Sequence, residues 1–188
     1  CTGSGAKLSN ISLEFVNVKG NQYVGGLVGW NSDGGRVISS YSTGSVKGDN
    51  NYVGGLVGYN NGEITSSYST ASVEGDQWHV GGLVGCNNGE ITSSYSTASV
   101  KGDKDVGGLV GRNYGTITSS YSTASVKGDD DYVGGLVGRN NGEITSSYST
   151  GSVEGDQYVG GLVGRSFSEI TSSYWDTETS GQSESAGG

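Results

Sequence analysis

Val53-Gly54-Gly55-Leu56-Val57-Gly58, followed by Tyr59-Asn60-Asn61-Gly62-Glu63-Ile64-Thr65-Ser66-Ser67-Tyr68 and then Ala71-Ser72-Val73-Glu74-Gly75-Asp76, is a unit that recurs along the chain. Its hexapeptide Val-Gly-Gly-Leu-Val-Gly starts at Val24, Val53, Val80, Val106, Val133 and Val159, at intervals of 29, 27, 26, 27 and 26 residues. Ser-Ser-Tyr keeps step from Ser39 to Ser172, and a Gly/Ala-Ser-Val-Lys/Glu-Gly-Asp block begins at Gly44, Ala71, Ala98, Ala124 and Gly151. Self-similarity at a fixed period of this size marks a stack of supersecondary units. Each unit holds three short segments rich in β-branched residues and separated by glycine-containing turns, which suits strands and breaks helices. The expected fold is all-β: a parallel β-solenoid of about six rungs, 26–27 residues and three short strands per rung, on the order of 30 Å tall at ~4.8 Å per rung.

Composition supports stacking over a conventional globule. Only 31% of the 188 residues are hydrophobic and 37 are glycine. A chain so polar offsets its ordering entropy only if each unit buries its apolar stripe on a near-identical neighbour. Proline is absent, as suits inner strands that donate hydrogen bonds on both sides. The formal charge of −9 disfavours nucleic acid and anionic membranes as partners. No run approaches the ~18 apolar residues of a membrane helix.

Alternation assigns faces. Ile64 is expected inside and Thr65 outside, so period two puts Ser66 and Tyr68 with Ile64, and Ser67 with Thr65. Ala71 and Val73 point inward, which requires a parity change, and hence a corner, between Tyr68 and Ala71. The paired glycines are expected to bend the first strand so that Val53 and Leu56 both face in. The predicted core ladder is Val53, Leu56, Ile64, Val80, Leu83, Ile91, Val106, Leu109, Ile117, Val133, Leu136 and Ile144. Asn60, Asn87, Asn113 and Asn140 are expected to form an amide ladder at one turn, and Tyr68, Tyr95, Tyr121 and Tyr148 a stacked ladder at a corner. Residues 1–17 read as an N-terminal cap, with Ile11–Val16 plugging the first rung, 18–174 as the solenoid, and 175–188 as a C-terminal cap and polar tail. Phe15 and Trp175 are the expected cap residues.

The recurring Gly55-Leu56-Val57-Gly58, with Asn60-Asn61-Gly62 and Ile64-Thr65-Ser66-Ser67-Tyr68 behind it, resembles the GLUG motif, named for Gly-Leu-any-Gly. That repeat occurs in bacterial surface proteins and in non-catalytic parts of IgA-specific metallopeptidases. The closing Tyr174-Trp175-Asp176-Thr177-Glu178-Thr179-Ser180-Gly181-Gln182 is similar to the segment that often ends such arrays. The resemblance covers about Val18 to Gln182. It implies an extracellular or cell-surface location and a stalk, spacer or adhesive role, and it transfers no catalytic residue, because the His-Glu-x-x-His zinc motif is missing.

Few residues carry chemistry in a pattern that points to a site. His79 stands in a turn column held elsewhere by Tyr52, Asp105 and Tyr132, and is read as drift on a solvated loop, without the partners that acid–base work needs. No Gly-Lys-Ser/Thr follows the glycines, so a nucleotide loop is set aside. One carboxylate per rung, at Asp49, Asp76, Asp103, Asp129 and Asp156, is a weak calcium candidate against the plainer reading of Gly-Asp turns; no other cofactor is expected. Thr65, Ser67, Thr92, Ser94, Thr118, Ser120, Thr145 and Ser147 are expected to form an outward two-column hydroxyl array with the layout of an ice- or crystal-binding surface. Arg112, Arg139 and Arg165 take the column held earlier by Trp30, Tyr59 and Cys86, so one corner passes from aromatic to basic, with a glycan contact conceivable near Trp30 and Tyr59. Cys1 is a candidate for lipid modification.

Taken together, the residues point to a non-catalytic structural or adhesive module, with a self-assembling fibre subunit and an ice- or glycan-binding solenoid as alternatives. Expected partners are a host or matrix protein, a glycan, or further copies of the chain.

Overall fold

A computed structural model describes residues 1–186 and shows a right-through stack of parallel strands. Four sheets run the length of the coil, of 7, 11, 6 and 6 strands. In the second repeat the chain passes through Tyr68–Ser69 and Ser72–Gly75, both in the 11-stranded sheet, and then through Trp78–Gly81, Val84–Asn87 and Glu90–Thr92, one strand in each of the other three. Equivalent residues pair in register from rung to rung, as in Val53 with Val80, Val57 with Val84, Ile64 with Ile91 and Tyr68 with Tyr95. The solenoid and its rung count agree with the periodicity, whereas the three-strand rung needs correction. The Val-Gly-Gly-Leu-Val-Gly segment forms two strands in two sheets, Val53–Gly54 and Val57–Asn60, meeting at a bend over Gly55 and Leu56.

That bend follows from close approach. A Cβ on Gly55 would fall on the Ser69 hydroxyl and the Gly82 carbonyl, and one on Gly54 would fall on the Val57 carbonyl. The wall is thus drawn inward against the buried serines of the opposite sheet, and Ser42 Oγ donates to the Gly55 carbonyl across this waist at 2.6 Å. The waist divides the core in two. Leu56, Val57, Ile64 and their equivalents fill one half, while Val53, Ala71, Val73 and theirs fill the other.

A second correction concerns the Ser-Ser-Tyr corner. Ser39, Ser66, Ser93, Ser119, Ser146 and Ser172 all have positive φ, between 47° and 50°. The left-handed residue turns the chain at Ser66, earlier than the expected corner, and resets the alternation there. Ser67, Ser94, Ser120 and Ser147 are consequently buried, and Tyr68 faces outward and is only half-buried. The outward Thr/Ser array therefore does not exist as predicted. The buried serines do other work. Ser67 Oγ donates to Thr65 O at 2.8 Å and accepts the Ser40 backbone N–H at 3.1 Å, and each later rung repeats the pattern. At a left-handed corner these hydroxyls supply the partners that the broken strand ladder lacks, since a buried N–H without an acceptor is costly.

The amide and ring ladders are continuous. Asn60 Nδ2 donates to Asn87 Oδ1 at 2.8 Å, Asn87 to Asn113 at 2.8 Å and Asn113 to Asn140 at 2.9 Å. The column ends on hydroxyls: Thr2 Oγ1 donates to Asn31 Oδ1, and Asn140 Nδ2 donates to Ser166 Oγ. Tyr41, Tyr68, Tyr95, Tyr121, Tyr148 and Tyr174 stack with centroids 4.7–5.2 Å apart.

The two ends differ from expectation at the N-terminus. Lys7–Ser9 pairs with Arg36–Ile38 and Ser12–Gly20 with Tyr41–Gly48, so these residues extend two sheets by a partial rung where a plug was expected. Phe15 sits at an irregularity in that pairing, has φ 55° and is 87% exposed, and so covers no core. Trp175 packs against the last rung, where a Cβ on Gly161 would strike its ring, and its Nε1 donates to Gln182 O at 3.0 Å. Beyond it Gly161 N donates to Glu184 O, and Ser185 Oγ accepts from the backbone N–H groups of Leu162 and Val163.

Candidate binding groove

The inward bend at Gly54 and Gly55 has an outer side, and there the side chains flanking the glycine segment face one another. Tyr23, Tyr52, His79, Asp105, Tyr132 and Tyr158 occupy one flank, each with positive φ. The other flank is Trp30, Tyr59, Cys86, Arg112, Arg139 and Arg165, paired in register from rung to rung. Two residues on, Asn88, Tyr114 and Phe167 stand over the second flank. At the N-terminal end the groove is an aromatic cluster: Tyr23 stacks on Tyr52 at 5.0 Å, and Tyr52 meets Tyr59 edge-on at 5.2 Å.

The repeat departs furthest from its own pattern in the middle of the groove. Tyr52, Tyr59, His79, Cys86, Asn88, Arg112 and Tyr114 line a cavity of about 370 Å³. His79 is 6% exposed and Asp105 2%, and Nδ1 of the one lies 2.8 Å from Oδ2 of the other. The solvated-loop reading of His79 is therefore wrong: consecutive rungs bring a histidine and a carboxylate together under Tyr52, whose ring is 5.1 Å from the imidazole. The pair is close but poorly aligned for a hydrogen bond, and His79 Nδ1 and Asp105 Oδ1 have no hydrogen-bond partner among the described residues. Arg112 Nη1 stands 3.9 Å from Asp105 Oδ2, as a looser counter-charge.

Cys86 lies in the same cavity wall, buried, whereas Cys1 is exposed, and both are free thiols. Burial, opposed by the nearby Arg112, pushes the Cys86 thiol up to about 12. Because the thiolate is the reactive form, an aromatic disulfide reagent at pH 8 is expected to titrate Cys1 promptly in the native protein and Cys86 only after denaturant is added. Prompt reaction of both thiols would show that the groove opens in the folded state.

Past the histidine the groove turns basic. Arg112 lies 4.6 Å over Tyr114, Arg139 5.0 Å over Phe167, and Arg165 5.1 Å over Tyr158. The aromatic-to-basic change was readable from the sequence, but the aromatics that flank the arginines were not. Their signal is the replacement of Asn61 and Asn88 by Tyr114 and Phe167 in a column otherwise polar.

The remaining candidates stand apart from this groove. Asp49, Asp76, Asp129 and Asp156 are exposed and Asp103 half-buried. Burial and then the neighbouring Asp129 and Asp76 carboxylates push the Asp103 carboxyl up. Among the described residues no group of three His, Cys, Asp or Glu side chains converges in a way that could hold a metal ion.

The pattern of the GLUG motif matches residues 20–47, 49–74, 76–101, 102–127 and 131–154, well over half of the chain. The chain belongs to the GLUG-motif family. Among solved structures, a Bacteroides ovatus protein titled "putative immunoglobulin A1 protease" is similar with a TM-score of 0.63 and 18% identity, over 90% of this chain. The chain spans 66% of that neighbour's length. At this identity the likeness is one of fold. No curated protein matches the chain's sequence. In GLUG terms, the Gly-Leu-Val-Gly signature is the waist of the solenoid: its first glycine lets the wall approach the buried serines, its second admits backbone of the preceding rung, and its leucine starts the larger half of the core.

Proposed function

We propose that this chain is a non-catalytic module of a bacterial surface or secreted protein, a rigid GLUG-repeat spacer that sets the distance between the domains or partners at its two ends. The carrying observation is the in-register pairing of rung on rung from Val24 onward in four sheets, over a core continuous from Val28 to Val163. A stack of this kind transmits length without a hinge, and each unit adds a fixed rise. The shared fold with a protein titled "putative immunoglobulin A1 protease" is compatible with a place beside a catalytic domain; that the chemistry resides outside the repeats is part of the proposal. A fibre made by end-to-end stacking is the weaker reading, because residues 184–186 already occupy the backbone groups of the last rung.

The test is deletion of one whole unit, residues 133–158, which joins Tyr132 to Val159. The shortened chain is expected to unfold cooperatively and to lose about 5 Å of maximum dimension in solution scattering. In the parent protein displayed on cells, the same deletion and a one-unit insertion should move the distal domain in opposite directions by that step, leaving the rate of any attached enzyme unchanged. Loss of catalysis in the soluble parent would assign chemistry to the repeats and end the proposal.

A further inference from the structure

We propose that the basic half of the groove binds an acidic glycan, a sugar chain carrying a few carboxylate or sulfate groups. The first observation is electrostatic. Arg112, Arg139 and Arg165 pair in register on adjacent strands, so three cationic side chains leave the wall at the ~4.8 Å strand spacing. The chain as a whole carries −9, yet among the described residues Arg139 and Arg165 have no carboxylate within salt-bridge distance, and Arg112 has only the 2%-exposed Asp105 at 3.9 Å. Like charges at such separations repel by about 1 kcal/mol per pair even in water, and an anion shared between them reverses the sign of that contribution.

The second observation is the aromatic setting. Tyr114, Tyr158 and Phe167 remain 48%, 53% and 52% exposed while stacking on the arginines. Exposed rings beside a planar cationic fork match a sugar that offers a C–H face to the ring and an anionic substituent to the fork. The Nε atoms of Arg112 and Arg139 are buried without a hydrogen-bond partner among the described residues, while Arg112 Nη1 faces Asp105 and Arg165 Nη1 donates to the Tyr132 hydroxyl at 3.3 Å. The strip holds three cations and the rest of the protein is acidic, which favours a sparsely charged glycan over a dense polyanion such as nucleic acid. This site is independent of the spacer role, and its test leaves the length measurements untouched.

Binding of the folded chain is to be measured by calorimetry at low salt with four probes: a galacturonic acid hexamer, a sulfated galactan oligomer, a neutral galactan oligomer, and a single-stranded oligothymidylate. Binding to either acidic sugar, weakened by salt and absent for the neutral sugar, is the expected result. The paired substitution Arg139→Gln/Arg165→Gln should lower affinity about tenfold or more. Arg139→Lys/Arg165→Lys should fall between that variant and the parent, and Lys19→Gln/Lys101→Gln, with the same charge loss elsewhere, should match the parent. Should the paired glutamine variant fail to fold, Phe167→Ala at an exposed position is expected to weaken binding in its place. Failure of both acidic sugars to bind, tighter binding of the oligothymidylate, or full affinity in the folded glutamine or alanine variant overturns the proposal.

Discussion

Asn87→Ala is expected to destabilise the chain by about 3 kcal/mol, as the sum of orphaned amide partners and a small cavity. Asn87 is fully buried. Its Nδ2 donates to Asn113 Oδ1 at 2.8 Å and to Gly89 O at 3.1 Å, and its Oδ1 accepts from Asn60 at 2.8 Å. Alanine leaves a donor on one neighbour and acceptors on two others without this partner, in a position water does not reach. Asn87→Asp has nearly the same shape but only accepts, so it should cost more than alanine at neutral pH. Asn140→Ala, where the next partner is the rotatable hydroxyl of Ser166, should cost less. Denaturant midpoints of the three variants decide the matter: equal small losses would mean that the amide column contributes little.

Gly108→Ala is the other large effect, expected at about 3 kcal/mol from overpacking. The backbone at Gly108 is not left-handed, so alanine meets no conformational penalty and the loss is steric. Its Cβ would fall on the Gly135 carbonyl and on the Ser122 hydroxyl. Truncating Ser122 in the same chain should rescue little, because the carbonyl is held by the next rung. Gly3→Ala, with nothing within 4 Å, is the control and should be neutral. Because rungs contact only their neighbours, damage in the middle of the array should also broaden the transition or divide it in two. A loss below about 1 kcal/mol would remove the waist as the reason for the paired glycines.

How much was legible in the residues depended on whether the signal was repeated or local. Periodicity and identity of columns gave the rung, the parallel register and the inward Val, Leu and Ile, because stacking makes each column its own partner. The corner at Ser66 was misplaced because positive φ usually announces itself by Gly or Asn, and serine gives no such sign. Yet counting back in twos from Val73 reaches Ser69 and Ser67, both buried, so the inward parity of the third segment already contained the correction. The fourth sheet was hidden for a related reason: paired glycines signal a bend without saying whether the pieces on either side remain in one sheet. His79 was misread because it was judged within its own rung. Its partner, Asp105, is one period away, and variable residues in a solenoid have to be compared along the column.

The separation between an interchangeable middle and fitted ends has a consequence for how such a molecule changes over generations. Every internal rung offers the same hydrogen bonds and the same core to whatever lies next to it, so recombination between its own near-identical repeats can lengthen or shorten the rod in a single event. Each product inherits an intact Trp175 and Ser185 at its finish. Selection is then free to act on reach in whole steps, while the groove residues diverge one rung at a time.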